Sequence, residues 1–376
     1  MATNTYSPKW CLWSHWKEIC LLLASIIISL LLAEIYFRLT SPYIIRKTTV
    51  GISGKEVVRG DYTYFMDTVS GRRLIPNTHV VYVLPDDKIP IDINSNGFRG
   101  KEIPIKKKDN ETRIIVLGDS TTFATSIHQE RTYVQIAEDY LTAEYKGRRD
   151  IRLINGGVEG IGLKEEIDIL IAQGMEIMPD MVIVGFYLND SNPPEKLAAV
   201  LANPNFIRRH SVLAQTIYRQ YKLRQYKTGK LEESHMYDWE HFPQPTDVLT
   251  NRDSFLQFAA TAEKDWGAAW NPSSWGGIEN QIKRLSLFAK EHRIKVVFIT
   301  FPVAFQVYSE YVEDTPQQTL KALCRKYGFG YYDLLPVLRA NKTETNTFFM
   351  DWCHLTEAGH HVVGIALARY LLTTMQ

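Results

Sequence analysis

An excess of one charge is missing from this sequence. Lys and Arg number 43 against 42 Asp and Glu, a net charge of +1, so no nucleic-acid footprint is supported. Internal repeats and low-complexity tracts are absent too, and glycine and proline are unremarkable, which sets repeat architectures aside. Cysteine is scarce: of four, Cys11 and Cys20 lie at or in an apolar stretch, and no Cys/His spacing resembles a zinc site. Neither a metal nor a nucleotide cofactor is expected. Cys324 and Cys353 could pair if the body lies in an oxidising compartment, or stay as buried thiols; separation in sequence does not choose. What is present is 376 residues with 45% hydrophobic content, enough for one large domain or two modest ones.

One stretch is unbroken by charge. Ile19 to Ala33 is almost wholly aliphatic, and Glu34-Ile-Tyr-Phe37 extends it before Arg38. With Glu34 as an interfacial residue it counts about 19 residues, close to the roughly 20 that span a bilayer. Trp13 and Trp16 on one side, and Tyr36 and Phe37 on the other, suit the two interfaces. A cleaved signal peptide would have a shorter apolar core and a small-residue cleavage site, which Ala33-Glu-Ile-Tyr36 does not offer. A buried core helix would show a polar face, which this run lacks. A single-pass anchor is therefore expected at 19–37, after a flank at 1–18, with the lipid bilayer as partner. Lys9 and Lys17 before it, against Arg38, Arg46 and Lys47 after it, leave its orientation open.

From 38 to 112 the chain reads as a linker and an extension packing on the body. Val80 to Leu84 is a strand, Ile89 to Gly100 alternates and turns at Asn96-Gly97, and Lys106-Lys-Lys-Asp-Asn-Glu111 is a solvated turn. A strand–helix rhythm follows. Ile114 to Leu117 is short, β-branched and apolar, as a strand buried on both faces would be. It stops at Gly118-Asp119-Ser120. A helix near 130–146, a strand at 151–155, a glycine-rich loop at 156–162 and a helix near 163–176 come next. Strands at 179–187, 295–301 and 330–333 and a last helix at 355–373 complete the alternation, which predicts a parallel sheet with helices on both faces.

Residues 191–275 interrupt this rhythm as an insertion. It holds Pro193-Pro194 and a basic stretch (Arg208, Arg209, Arg219, Lys222, Arg224, Lys227, Lys230), read as a solvated helix face rather than an anion site. Following a strand's carboxyl end, it could cover the ligand crevice. Trp266, Trp270 and Trp275 could stack on sugar rings or pack the insertion's own core.

Chemistry-bearing residues stand at successive strand ends: Ser120, Gly160, Asn189, and Asp351-Trp-Cys-His354 just before the last helix. A parallel sheet brings such positions to one rim. A serine needs an imidazole base, the imidazole a carboxylate, and a tetrahedral oxyanion preorganised donors. Each residue also has a plainer reading. Gly-Asp-Ser can be a strand-to-helix turn with an N-cap, and Gly160 a positive-φ glycine. Asn189-Asp190 can be an Asx turn, Asp351 the start of a turn and His354 a helix cap.

Four blocks occurring in order give the resemblance. Gly118-Asp-Ser120, Asn155-Gly-Gly-Val-Glu-Gly160, Leu188-Asn-Asp190 and Asp351-Trp-Cys-His354-Leu-Thr-Glu-Ala-Gly359 resemble the motif blocks of the SGNH (GDSL-like) hydrolase superfamily. The Asn94-Ser-Asn-Gly-Phe-Arg99 lead-in resembles its membrane-anchored bacterial members. The resemblance spans roughly 113–373. It implies Ser120 as nucleophile, His354 as base and Asp351 as its orienting acid. By the same resemblance, the Gly160 N–H, the Asn189 side chain and the Ser120 N–H form an oxyanion hole. The third block usually begins with glycine, and Tyr187 stands there instead; Tyr187, Asp119 and Trp352 are the substrate-pocket candidates. The Asp-x-x-His spacing is that of GDSL-type esterases.

The expected fold is α/β: a flavodoxin-like three-layer sandwich with a five-stranded parallel sheet of order 2-1-3-4-5 over 113–376, plus one N-terminal transmembrane helix. The expected function is a membrane-anchored serine esterase acting on O-acyl esters, O-acetyl foremost, of a small molecule or a cell-surface glycan. Its catalytic body is expected outside the cytoplasm. An O-acyltransferase using the same acyl-enzyme, or a non-catalytic glycan-assembly protein keeping the fold, are the alternatives.

Overall fold

The computed structural model describes residues 16–40, 47–50, 56–59, 65–68, 71–84, 87–191, 211, 213, 214, 217, 245–263, 265–343 and 347–375. Cys11, Trp13, Pro193-Pro194 and the basic residues from Arg208 to Lys230 lie outside them. The chain divides into two compact units, Met1–Pro42 with Pro204–Leu231, and Tyr43–Asn203 with Glu232–Gln376. In the first unit helix α1 (Trp16–Thr40) contains 21 residues, Trp16–Tyr36, long and apolar enough to cross a membrane and not buried in protein. Three of its polar side chains are hydrogen-bonded. Ser25 and Ser29 donate to carbonyls one turn back, and Glu34 accepts from Ser211 Oγ at 2.7 Å and Leu213 N at 2.9 Å.

The second unit begins with three antiparallel hairpins: β1 (Lys47–Val50) with β2 (Glu56–Arg59), β3 (Phe65–Thr68) with β4 (Gly71–Leu74), and β5 (Thr78–Val83) with β6 (Lys88–Ile93). Strict exposed–buried alternation in β6 seats Ile89, Ile91 and Ile93 in the core. The turn at Asn96-Gly97 follows as expected, with Asn94 Oδ1 accepting from Asn96 N and Phe98 N at 3.0 Å each.

A five-stranded sheet is the centre of the unit: β7 (Glu111–Gly118), β8 (Asp150–Gly157), β9 (Met181–Tyr187), β10 (Lys295–Phe301) and β11 (Gly330–Asp333). All its pairings are parallel, in the order β8-β7-β9-β10-β11, which is the expected 2-1-3-4-5. Ile114 to Leu117 and every residue of β9 are buried, as strands covered on both faces require.

The reversal of strand order decides where the helices go. Right-handed crossovers put α3 (Tyr133–Tyr145), between β7 and β8, on one face. On the other go α4 (Leu163–Ala172), α6 (Trp275–His292) and α8 (Thr315–Tyr327), whose connections step across the sheet in the opposite direction. Packing agrees: α3 lies against α10 (Glu357–Thr374), which also meets α9 (Leu334–Asn341), while α6 touches both α4 and α8.

One expectation changes. Glu111 is not part of a solvated turn. It opens β7, is 5% exposed, and binds Arg113 Nε at 2.7 Å, because burying Arg113 at the sheet's lower edge demands a buried carboxylate. Of the two readings left open for Trp266, Trp270 and Trp275, packing is the one observed. Trp266 is fully buried beside Phe255 and Phe258, the Trp270 indole N–H donates to Glu313, and that of Trp275 to the Ala269 carbonyl. Helix α5 (Arg252–Thr261) supplies the two phenylalanines.

Candidate active site

Three glycines in register make the floor of the site. Gly118 at the end of β7 pairs with Gly157 of β8 and with Gly185 of β9. A methyl at Gly157 would lie 2.4 Å from Phe123 N, and one at Gly185 would lie 2.6 Å from Thr122 Oγ1. Without side chains there, the short helix α2 (Ser120–Phe123) lies directly on the strand ends and lifts Ser120 to the half-exposed rim. Asp119 caps it, its Oδ1 accepting from Thr121 N and Thr121 Oγ1 at 2.8 Å each.

The other end of α2 is tied down by Arg99, from the lead-in before the sheet. Its guanidinium donates to the carbonyls of Phe123, Ala124 (2.6 Å) and Ile127 (2.6 Å), and lies 5.2 Å from the Phe123 ring centre. Asn155 ties α2 to β8 by donating to the Thr122 carbonyl at 2.9 Å.

His354 arrives on a tight loop. Met350 N donates to the His354 carbonyl at 2.8 Å, and Thr356 N to the Phe348 carbonyl at 2.9 Å, so residues 348–356 fold back on themselves. Asp351 both shapes and uses this loop. Its Oδ1 accepts from Cys353 N (2.8 Å) and His354 N (2.7 Å), while Oδ2 lies 2.6 Å from His354 Nδ1. His354 Nε2 is 2.9 Å from Ser120 Oγ. Burial would raise the Asp351 carboxyl, but the charge and hydrogen bond of His354 and the two backbone N–H groups outweigh it and hold the group well below the usual range. His354 does not cap the last helix; Thr356 does, accepting from Gly359 N at 3.2 Å.

The residues expected as oxyanion donors stand at the neighbouring strand ends. Gly160 is exposed at φ +66°, in the loop after β8. Asn189 is half-buried in the turn after β9, and its side chain hydrogen-bonds to the Asp119 carboxylate. An amide has two N–H groups, so this bond orients Asn189 and leaves one donor over.

Asp119 and Tyr187, expected at the substrate pocket, need correction: each is 1% exposed and lies beneath the site. Asp119 turns inward because it must cap α2. Tyr187 is the last residue of an all-buried strand, its hydroxyl enclosed near Cys353 and Asp265 with no hydrogen-bond partner among the described residues. Trp352 is half-buried in the His354 loop, and its carbonyl accepts from the N–H of Ala304, the first residue of α7 (Ala304–Tyr308), at 2.8 Å. Cys324 and Cys353 are both free thiols.

Sequence reasoning did not single out the acids below this rim. Glu166 and Asp190 are fully enclosed beside Asp119 and Glu165; burial first, and then these neighbours, push both carboxyls far up. Alone in sequence, each looks like an ordinary helix or turn acid.

Asp351, Cys353 and His354 offer one potential metal-ligand atom each within 4.8 Å of one another. Two of the three already bind each other, so a cation there would compete with the hydrogen bonds that reach Ser120.

No protein-family model matches the sequence, and no curated protein matches it. Solved structures do resemble it. A two-domain esterase active on acetylated mannans shares 13% identity at a TM-score of 0.39, covering 70% of this chain and 49%, about half, of its own. A catalytic mutant of an acetylxylan esterase from Geobacillus stearothermophilus shares 14% at 0.38, covering 69% and 93%. Another acetyl xylan esterase shares 14% at 0.38, covering 69% and 98%. Likeness at this level leaves the chemistry to be read from this chain's own side chains.

Proposed function

We propose that the protein is a membrane-anchored serine ester hydrolase. The observation that carries this reading is the unbroken line from Asp351 through His354 to Ser120 Oγ, with spans of 2.6 and 2.9 Å. In the proposed reaction Ser120 Oγ attacks the ester carbonyl carbon and passes its proton to His354 Nε2. Asp351, held ionised, keeps the other ring proton on Nδ1 and stabilises the imidazolium. The oxyanion is received by the Gly160 N–H, the second Asn189 N–H and the Ser120 N–H. The alcohol leaves with the Nε2 proton, and water, deprotonated by the same nitrogen, releases the acid.

The substrate class we propose is an O-acyl, foremost O-acetyl, ester on a cell-surface glycan. A half-exposed Ser120 at the strand ends supports it, as do the apolar α1 and the resemblance of the motif blocks. The test is labelling of the full-length protein in detergent by a fluorophosphonate. Labelling should be stoichiometric and should vanish in Ser120→Ala. Equal labelling of both proteins would defeat the reading. Acetate released from an acetylated glycan with no acceptor sugar marks hydrolysis; release only on adding an acceptor marks a transferase instead.

A further inference from the structure

We propose that Arg72, from the β3–β4 hairpin that precedes the α/β sheet, is a positioning residue of the oxyanion hole, acting through the Glu159–Gly160 peptide. This deepens the function proposed above and rests on its reading of the Gly160 N–H as an oxyanion donor.

The geometry is that of one peptide plane held by its far end. Arg72 Nη1 donates to the Glu159 carbonyl at 3.0 Å. That carbonyl and the Gly160 N–H belong to the same trans peptide, so they point in opposite directions, and fixing one aims the other. A charged donor on the carbonyl also polarises the amide and strengthens its N–H as a donor. The guanidinium sits so close that a Cβ on residue 160 would lie 2.8 Å from Nη1; together with φ +66°, this accounts for glycine at 160. A second clamp comes from the nucleophile's side, where Thr125 Oγ1, just past α2, donates to Glu159 Oε1. Glu159 is thus held at its carbonyl by the hairpin and at its carboxylate by the segment that follows Ser120.

Strand alternation explains how the hairpin reaches it. Arg73 points the other way, is 7% exposed, lies beside Glu165 and Asp168 of α4, and donates from Nη1 to the Arg72 carbonyl at 2.8 Å. The buried Arg73 anchors β4, and its neighbour reaches the loop after β8.

A purely structural role for Arg72 would cost stability without a kinetic signature. The experiment therefore compares full-length wild type, Arg72→Ala, Arg72→Lys and Ser120→Ala in detergent, using p-nitrophenyl acetate, a boronic acid as tetrahedral analogue, and thermal melting. Arg72→Ala should lower kcat about tenfold to a hundredfold, less than the ~10²–10³-fold for deleting a donor, and leave KM near its original value. Boronate affinity should weaken by a similar factor, and Arg72→Lys should recover part of both losses. An unchanged kcat in folded Arg72→Ala, or a lower kcat with unchanged boronate affinity, overturns the proposal while the Ser120 reading stands. Activity surviving Ser120→Ala overturns the site and this proposal with it. Should Arg72→Ala fail to fold, Arg72→Met decides, since it keeps the stem and removes the donor: wild-type kcat and boronate affinity in that variant overturn the assignment.

Discussion

Asn189 has one amide for two partners. One N–H is spent on the Asp119 carboxylate, so the direction of the other is set by the residue adjacent to Ser120. Asn189→Ala should lower the acylation rate about 10²–10³-fold with the melting temperature little changed. A rate within twofold of wild type, measured by stopped-flow burst, would remove Asn189 from the oxyanion hole. Below it, Glu166 illustrates a cost of enclosing acids. Its pKa in the folded chain lies well above the ordinary 4.5, so above about pH 4.5 the unfolded chain gives up a proton that the folded one keeps. Stability from this group is fully present below that pH and is lost as pH rises through the folded value. Glu166→Gln should therefore gain on the wild type as pH goes from 5 to 8, by at most about 1.4 kcal/mol per pH unit. Denaturant melts at both ends of that range measure it; an equal gap at pH 5 and pH 8 refutes the assignment.

Among the elements, α2 depends most on its neighbours. Four residues cannot hold a helix by their own hydrogen bonds, and it persists because Asp119 caps its start, the glycine floor receives it, and Arg99 gathers the carbonyls beyond its end. Arg99→Met should destabilise the body by about 3–5 kcal/mol, since it leaves three buried carbonyls without their charged donor. Chemical denaturation measures this, and a loss below about 1 kcal/mol would mean that the α2 exit loop holds without it. The loop at 348–356 has the opposite economy: one carboxylate, Asp351, closes the turn with one oxygen and orients the imidazole with the other. Closing a turn and contacting the imidazole are thus compatible in one side chain. His354 is left to Ser120 because Thr356 takes the cap.

At the scale of the whole molecule, an apolar helix and a polar α/β body call for different surroundings. The full chain should co-sediment with phospholipid vesicles, and a chain lacking residues 1–40 should stay in the supernatant while still reacting with a fluorophosphonate. Equal sedimentation of both would put membrane binding elsewhere. The order of the sheet was legible because strand–helix alternation and crossover handedness leave few topologies open. The positions of Ser120, Gly160, Asn189 and His354 near strand ends or just before the last helix were legible for a related reason: strand ends show in hydrophobic patterning, and the chemistry proposed here needs particular residue types at them.

What sequence could not show were relations across space. Nothing in the Gly71-Arg-Arg-Leu74 strand marks Arg72 for the loop at Glu159, or the Arg99 guanidinium for the carbonyls past α2. Nor could hydrophobicity say that Trp266 is core while Ser120 stands at the rim, or that Asp119 faces inward and Glu166 meets Asp190. Local pattern determines which elements form and roughly where they end, because propensity and burial act along the chain. Which side chain answers which backbone group is decided only when distant segments are packed together, because hydrogen bonds and buried charges act over a few ångströms in space and are indifferent to separation in sequence.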